Sequence, residues 1–153
     1  MDDFWMSVNK LVAAAAAYIT DPRGRVLLVK PNYRDHWNFA GGLIDEGEHP
    51  SQACAREVAE ELGLTTTPGS LLVTQWLMPL DTCPLPSVHF MFDCGTLDPG
   101  TPITLQAEEL DDYGFFPMET AAELLRPHAF ARLSAAAAAR DSGAPSFLAP
   151  EHA

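Results

Sequence analysis
Basic residues are scarce in this chain: 9 Lys and Arg stand against 21 Asp and Glu, a formal net charge of −12 over 153 residues. Surfaces that grip nucleic acid or an anionic bilayer do so with basic patches, so neither is expected as a partner. The same charge repels a phosphorylated ligand at long range, and a bound cation would have to reverse the field locally. Cysteine is scarcer still. Cys54, Cys83 and Cys94 are odd in number, scattered, and form no Cys-x-x-Cys pair, which speaks against a disulfide framework and against zinc-ligand spacing. They read as small, mostly buried thiols in a reducing compartment. Long apolar runs are missing too. Leu11 to Ile19 is nine residues, too few to span a bilayer, and Asp2 and Asp3 make the stretch ahead of it acidic where a secretory leader is basic. The expectation is a soluble, cytoplasmic protein without a membrane partner. There is no internal repeat, and the length fits one domain with a single core, over residues 1–140, followed by a flexible tail over 141–153 that contains Gly143, Pro145 and Pro150.

What the chain does have is a stretch from Gly41 to Leu64 that begins as a glycine-rich loop and turns into a helix at Pro50. Proline suits a first helical turn, where its missing N–H is not needed, and Gly63 stands where helices commonly end. On a period of about 3.6 residues, Ala55, Val58, Ala59 and Leu62 share one side, and Glu57, Glu60 and Glu61 fall within roughly 100° of one another on another. The acidic stripe is poorly placed for stability. Carboxylates three and four residues apart repel, and they sit near the helix C-terminus, where the dipole also opposes negative charge. With Asp45, Glu46 and Glu48, six carboxylates face the single Arg56 over 17 residues. A solvated acidic face is the ordinary reading of such a run. A divalent cation is the alternative, because hard cations take carboxylate oxygens, waters and phosphate oxygens as ligands.

The spacing decides between them. Gly42, five residues, Glu48, seven residues, then Arg56-Glu57-Val58-Ala59-Glu60-Glu61-Leu62-Gly63-Leu64 resembles the 23-residue Nudix box at every fixed position. Trp37-Asn38-Phe39-Ala40-Gly41-Gly42 extends the likeness, with Ala40 where family members commonly carry proline. The resemblance implies an α/β fold, a Nudix-type α/β/α sandwich with a mixed β-sheet. It also implies a hydrolase that cleaves a pyrophosphate bond in a nucleoside diphosphate derivative such as a nucleoside triphosphate, ADP-ribose or a nucleotide sugar, by water attack at phosphorus. The implied cofactor is Mg²⁺, or Mn²⁺ in its place, held by Glu57, Glu60, Glu61 and a backbone carbonyl of Gly41. Glu57, Glu60 or a late-loop glutamate, Glu109 with Glu108 as its rival, would accept the water proton. A Glu48–Arg56 pair would pin the glycine loop to the helix. The alternative is a non-catalytic nucleotide-binding module on the same fold. No further signature selects a substrate.

Outside the box, Leu11 to Thr20 sets helix propensity, from five consecutive alanines, against the strand the resemblance requires; the strand is expected. Asp21-Pro22-Arg23-Gly24 has turn chemistry and Val26-Leu27-Leu28-Val29 reads as a buried strand, together a hairpin. Tyr33, Trp37 and Phe39 precede the box; each either stacks on a nucleobase or packs in the core. Leu71 to Leu77 reads as a strand. Ser87 to Cys94 alternates, with Phe90 and Phe92 on one face and His89 and Met91 on the other, which makes His89 a strand residue with a local partner. Tyr113 to Phe116 is a short strand, Met118 to Arg126 a helix broken by Pro127, and His128 to Arg140 a second helix. Small Nudix proteins often pair, so a homodimer is a state to test, and Phe4, Trp5 and Met6 either cap the core or serve a dimer contact.

Overall fold
A computed structural model describes residues 2–150. In chain order the elements are α1 (Asp3–Ser7), β1 (Val12–Thr20), β2 (Val26–Pro31), β3 (Gly41–Leu43), α2 (Pro50–Leu62), β4 (Leu71–Leu77), β5 (Ser87–Thr96), β6 (Leu110–Phe116), α3 (Met118–Leu124), α4 (Pro127–Ser142) and β7 (Ser146–Leu148). The strands form one mixed sheet in the order β6-β2-β1-β5-β4-β7, with β3 added to β1. β1 runs parallel to β5 and β4 parallel to β7, and the other pairings are antiparallel.

The alanine run is strand because of where it sits. Ala15 and Ala17 are buried in one core, Ala16 and Tyr18 pack into the other, and β5 lies alongside at Ala13↔Val88 to Tyr18↔Asp93. Burial on both faces and a paired edge outweigh a helix preference of a few tenths of a kcal/mol per residue. β1 changes neighbour on its other edge: Ala14, Ala15 and Ala16 pair with Leu43, Gly42 and Gly41 of β3, whereas Thr20 pairs with Val26 of β2.

Strand alternation feeds two cores. On one face, Ala53, Cys54, Val58 and Leu62 of α2 pack against Ala15, Ala17, Ile19, Leu27 and Val29. On the other, Ala121 of α3 and Ala129, Leu133, Ala136 and Ala139 of α4 pack against Leu28, Val73 and Met91. A helix layer on each side of a mixed sheet is the expected α/β/α sandwich, and each fully buried Leu or Val contributes about 1.5–3 kcal/mol to it. Phe90 and Phe92 enter the α2 core and Met91 the other, as the alternation of β5 requires.

Four expectations need correction. Pro127 begins α4, at a first-turn position that needs no N–H. β6 starts at Leu110, because Leu110 pairs with Pro31 across a register shift while Asp111 and Asp112 face solvent. Within the stretch expected to be a tail, α4 continues to Ser142 and Ser146–Leu148 pairs with Val73, Thr74 and Gln75 of β4; residues 151–153 of that stretch lie outside the described residues. Phe4, Trp5 and Met6 do not cap the core: they are well exposed on α1. Among the described residues no helix is long and apolar enough to cross a membrane.

Candidate active site
Local chemistry sets the helix that carries the acids. The His49 ring nitrogen accepts the Gln52 N–H, and the Gln52 side chain accepts the His49 N–H, a reciprocal cap ahead of Pro50. Gly63, at φ 66°, closes the other end by donating to Ala59. Between these ends the buried stripe of Cys54, Val58 and Leu62 fixes the rotation of α2 against the sheet. One turn apart, Glu57 and Glu61 are thereby aimed at Gly41 and Gly42, which the sequence predicts as the start of a loop but which pair with Ala16 and Ala15 as β3.

The fit there is close. Gly41 N–H donates to Glu61 Oε1 at 2.8 Å, and Glu61 is only 4% exposed. A Cβ on Gly42 would lie 2.6 Å from Glu57 Oε1, and one on Gly41 would lie 2.3 Å from the Ala15 carbonyl oxygen. Only glycines let the loop lie flat between β1 and the carboxylates. Burial drives the Glu61 carboxyl up to about 8; the Gly41 N–H opposes this, and the charges of Glu57 and Glu109 add to it. Burial also raises Glu57, against the pull of Arg56 and with help from Glu60.

Arg56 ties the loop to the helix. Its Nε and Nη2 donate to the two oxygens of Glu48 at 2.7 and 3.0 Å, Nη2 also donates to the Leu43 carbonyl at 3.1 Å, and Nη1 donates to Glu57 at 3.0 Å. Glu60, with its side chain 48% exposed, accepts from the same Arg56 Nη1 at 3.3 Å. Of the four expected ligands, then, Gly41 meets Glu61 through its N–H and Glu57 packs against Gly42, while the more exposed Glu60 is joined to Glu57 through the Arg56 Nη1 that both accept from. No group of three or more His, Cys, Asp and Glu side chains among the described residues is arranged to hold a cation. The buried Glu61 and half-buried Glu57 nevertheless fit Mg²⁺, which commonly takes one or two carboxylates and completes its shell with water and substrate phosphate. A bound cation would favour the ionised forms of both carboxyls, which burial of the site opposes.

A cleft of about 550 Å³ opens beside this pair, lined among others by Gly41, Gly42, Glu57 and Glu109. Glu109, not Glu108, lines it; the Glu108 carbonyl is held by Asn32 Nδ2 at 2.9 Å. The exposed Tyr33 forms part of its wall, with Arg34 5.2 Å above the Tyr33 ring. Phe39 is buried and lines the cleft as well. Trp37, expected as a stacking or core residue, packs edge-on against Phe116 with ring centres 5.0 Å apart, because that side of the loop faces the α3–α4 core.

His89 and Arg132 also line the cleft. His89 has the local partner expected of it, Ser87 Oγ at 3.0 Å. Arg132 lies outside the residues expected at the site. Its signal is in the alanine-rich helix, where a lone arginine falls on the stripe of Ala129, Leu133, Ala136 and Ala139.

The likeness to known proteins agrees with this geometry. The NUDIX domain pattern matches residues 10–137. An 8-oxo-dGTP diphosphatase of Proteus vulgaris is 34% identical over 73 residues, 45% of this chain and 65% of that protein. An RNA pyrophosphohydrolase of Vibrio atlanticus is 41% identical over 61 residues, 39% of this chain and 36% of that protein. The matched region thus spans less than two thirds of either relative. In structure, an Ap4A hydrolase of C. elegans superposes with a TM-score of 0.72 at 21% identity, covering 86% of this chain and 99% of that one.

Proposed function
The chain belongs to the NUDIX family, and from that premise we propose that it is a divalent-metal-dependent hydrolase of a phosphoanhydride bond in a nucleoside diphosphate derivative. The observation that carries this reading is the buried Glu61 and half-buried Glu57 packed against Gly41 and Gly42, with Glu57 lining a cleft large enough for a nucleotide. Its relatives are named for 8-oxo-dGTP, RNA pyrophosphate and Ap4A, which sets the range of substrates to try.

Glu57 and Glu61 would hold the cation, with water and substrate phosphate completing its shell. When bound, Mg²⁺ or Mn²⁺ supplies charge neutralisation at the phosphates and lowers the pKa of water. The chain's own residues do the positioning. Arg56 clamps Glu48 and Glu57 so that loop and helix keep their spacing. Glu57 and Glu109 are carboxylates of the site that line the cleft, and one of them accepts the proton of the attacking water. Phe39 and Tyr33 offer apolar surface to the nucleoside.

The test is a panel containing 8-oxo-dGTP, Ap4A, ADP-ribose, UDP-glucose and a 5′-triphosphorylated RNA, with Mg²⁺ or Mn²⁺ and with or without chelator. Metal-dependent release of phosphate, pyrophosphate or a nucleoside monophosphate from at least one member is expected. Nucleotide binding without turnover of any member would make the chain a binding module instead.

A further inference from the structure
One end of the cleft holds a positive charge without a counter-charge. Arg132 is 3% exposed, and its Nε and Nη1 are shut from solvent with no hydrogen-bond partner among the described residues. It lines the cleft and also a recess of about 190 Å³ that shares much of the same wall. What the guanidinium does touch is aromatic: its carbon lies 5.4 Å from the centre of the Phe39 ring. A cation–π contact offsets part of the cost of burying a cation but leaves the N–H groups unmet.

The larger cleft carries Asp45, Glu57 and Glu109, but among the described residues no acid forms an ion pair or hydrogen bond with Arg132. The recess is lined by Arg34, Arg126, Arg132, His36, His89 and His128, and by no Asp or Glu, in a chain where acids outnumber Lys and Arg by 21 to 9. Arg126 is already paired with Asp81 at 2.8 Å and Arg34 lies over Tyr33. Burial, and then the charge of Arg132, keep His89 and His128 neutral, pushed down to about 3 and about 4. Arg132 itself is lowered to about 10 by burial alone, still a cation at neutral pH. Gln75, paired with His89 across β4 and β5, donates to the His128 carbonyl at 3.0 Å and leaves its own Oε1 without a partner.

A structural arginine at this depth is normally met by a carboxylate, since an unpaired buried ion is among the costliest features a fold can carry. A neutral acceptor such as a base edge would satisfy N–H groups without cancelling the charge. An oxyanion does both, and a planar guanidinium suits carboxylate and phosphate alike. Resting on the hydrolase reading, we infer that Arg132 anchors a second anionic group, a carboxylate or phosphate carried on the substrate moiety away from the phosphoanhydride that is cut. The substrate class is then a nucleoside diphosphate derivative with an extra oxyanion on its far end. Acids that gather a cation lie toward one part of the cleft and an uncompensated arginine lines another, so such a substrate is held at two separate points.

Two matched pairs test this on the full chain: UDP-glucuronate against UDP-glucose for a carboxylate, and 2′-phospho-ADP-ribose against ADP-ribose for a phosphate. Binding is measured by calorimetry with chelator present, and kcat/KM with Mg²⁺. For at least one pair the anionic member should bind tighter by about tenfold or more, and the pair that responds identifies the source of the oxyanion. R132M should bring that ratio close to one, and R132K, which keeps the charge but loses the planar fork, should fall between. Circular dichroism and melting confirm that the variants fold; if R132M does not, the wild-type and R132K ratios decide. A ratio near one for both pairs in the wild type, or a ratio that survives R132M, overturns the inference. So does a preference that follows the base, with GDP-glucose favoured over UDP-glucose and no response to the oxyanion. A binding preference without turnover would leave the anion site standing and remove the hydrolase reading; turnover without preference would do the reverse.

Discussion

Arg56 holds Glu48 through two parallel hydrogen bonds of 2.7 and 3.0 Å, joining the glycine loop to the helix that carries the acids. The same guanidinium reaches Glu57 and the Leu43 carbonyl. R56A should therefore lower stability by about 2 kcal/mol, since several charge-assisted bonds are lost together. For a chain of this size that is a drop in Tm of about 4–8 °C. R56K, which cannot form the fork, should recover only part of it. An R56A protein that melts at the wild-type temperature would show that the clamp does not brace the loop.

Glu61→Gln removes the capacity to ionise while keeping an oxygen to accept the Gly41 N–H. Turnover with Mg²⁺ is expected to fall by about 100-fold or more. Stability should hold or rise, because burial disfavours the charged form of Glu61 in the fold. Steady-state rates and a melting curve on the same preparation check both; near wild-type turnover would take Glu61 out of the ligand set.

Gly42→Ala places a methyl group 2.6 Å from Glu57 Oε1. Either the loop or the carboxylate must move, and a displacement on the order of 1 Å at reacting groups can cost about 100-fold in rate. The expected signature is a loss of kcat with a smaller change in melting temperature, as the shift falls on a side chain of the site. A variant with unchanged kcat would mean that Glu57 can sit elsewhere without consequence.

Acid should destabilise the fold through His89. Burial keeps its ring neutral down to about pH 3 in the fold, whereas in the unfolded chain it takes a proton below its ordinary value of 6.5. The unfolded state then binds more protons, so stability falls with pH from that point down toward the folded pKa. Between pH 6.5 and 5 this amounts to about 2 kcal/mol for one such group. H89Q should melt with a shallower dependence on pH over that window. Parallel profiles for the two proteins would contradict it.

Much of this is legible in the sequence where the determinants are local. The bounds of α2 follow from Pro50 and Gly63, and the aim of Glu57 and Glu61 from the helical period combined with the stripe of Val58 and Leu62. Propensity fails over residues 12–20 for the opposite reason: the five alanines favour helix, and only Val12 and residues 18–20 favour a strand until β5 lies alongside. β7 escapes a reading of the sequence because three residues, Ser146–Leu148, carry no pattern of their own and become a strand only by pairing with β4. Trp37 and Phe39 are two residues apart and both join the core under α3 and α4, as burial preferences suggest, yet of the two only Phe39 also borders the cleft. Arg132 is hidden by composition, one of two arginines in a helix rich in alanine, and its inward direction depends on how α4 docks.

The change of neighbour along β1, from β3 at Ala14–Ala16 to β2 at Thr20, splits the sheet at the place where the acids are presented. Residues 32–40 bridge the split, and residues 78–86 approach it from the other flank through Thr82, Cys83 and Pro84. Each is tied to the sheet only where it ends, the first by Asn38 to Val29 and by the Ala40 carbonyl to the Ala17 N–H, the second by the Pro86 carbonyl to the Val12 N–H, so residues 32–36 and 78–85 can lengthen, shorten or change their side chains while the hydrolytic geometry stays put. Such a layout separates the part of the molecule that reacts from the parts that choose, and leaves the choosing open to revision.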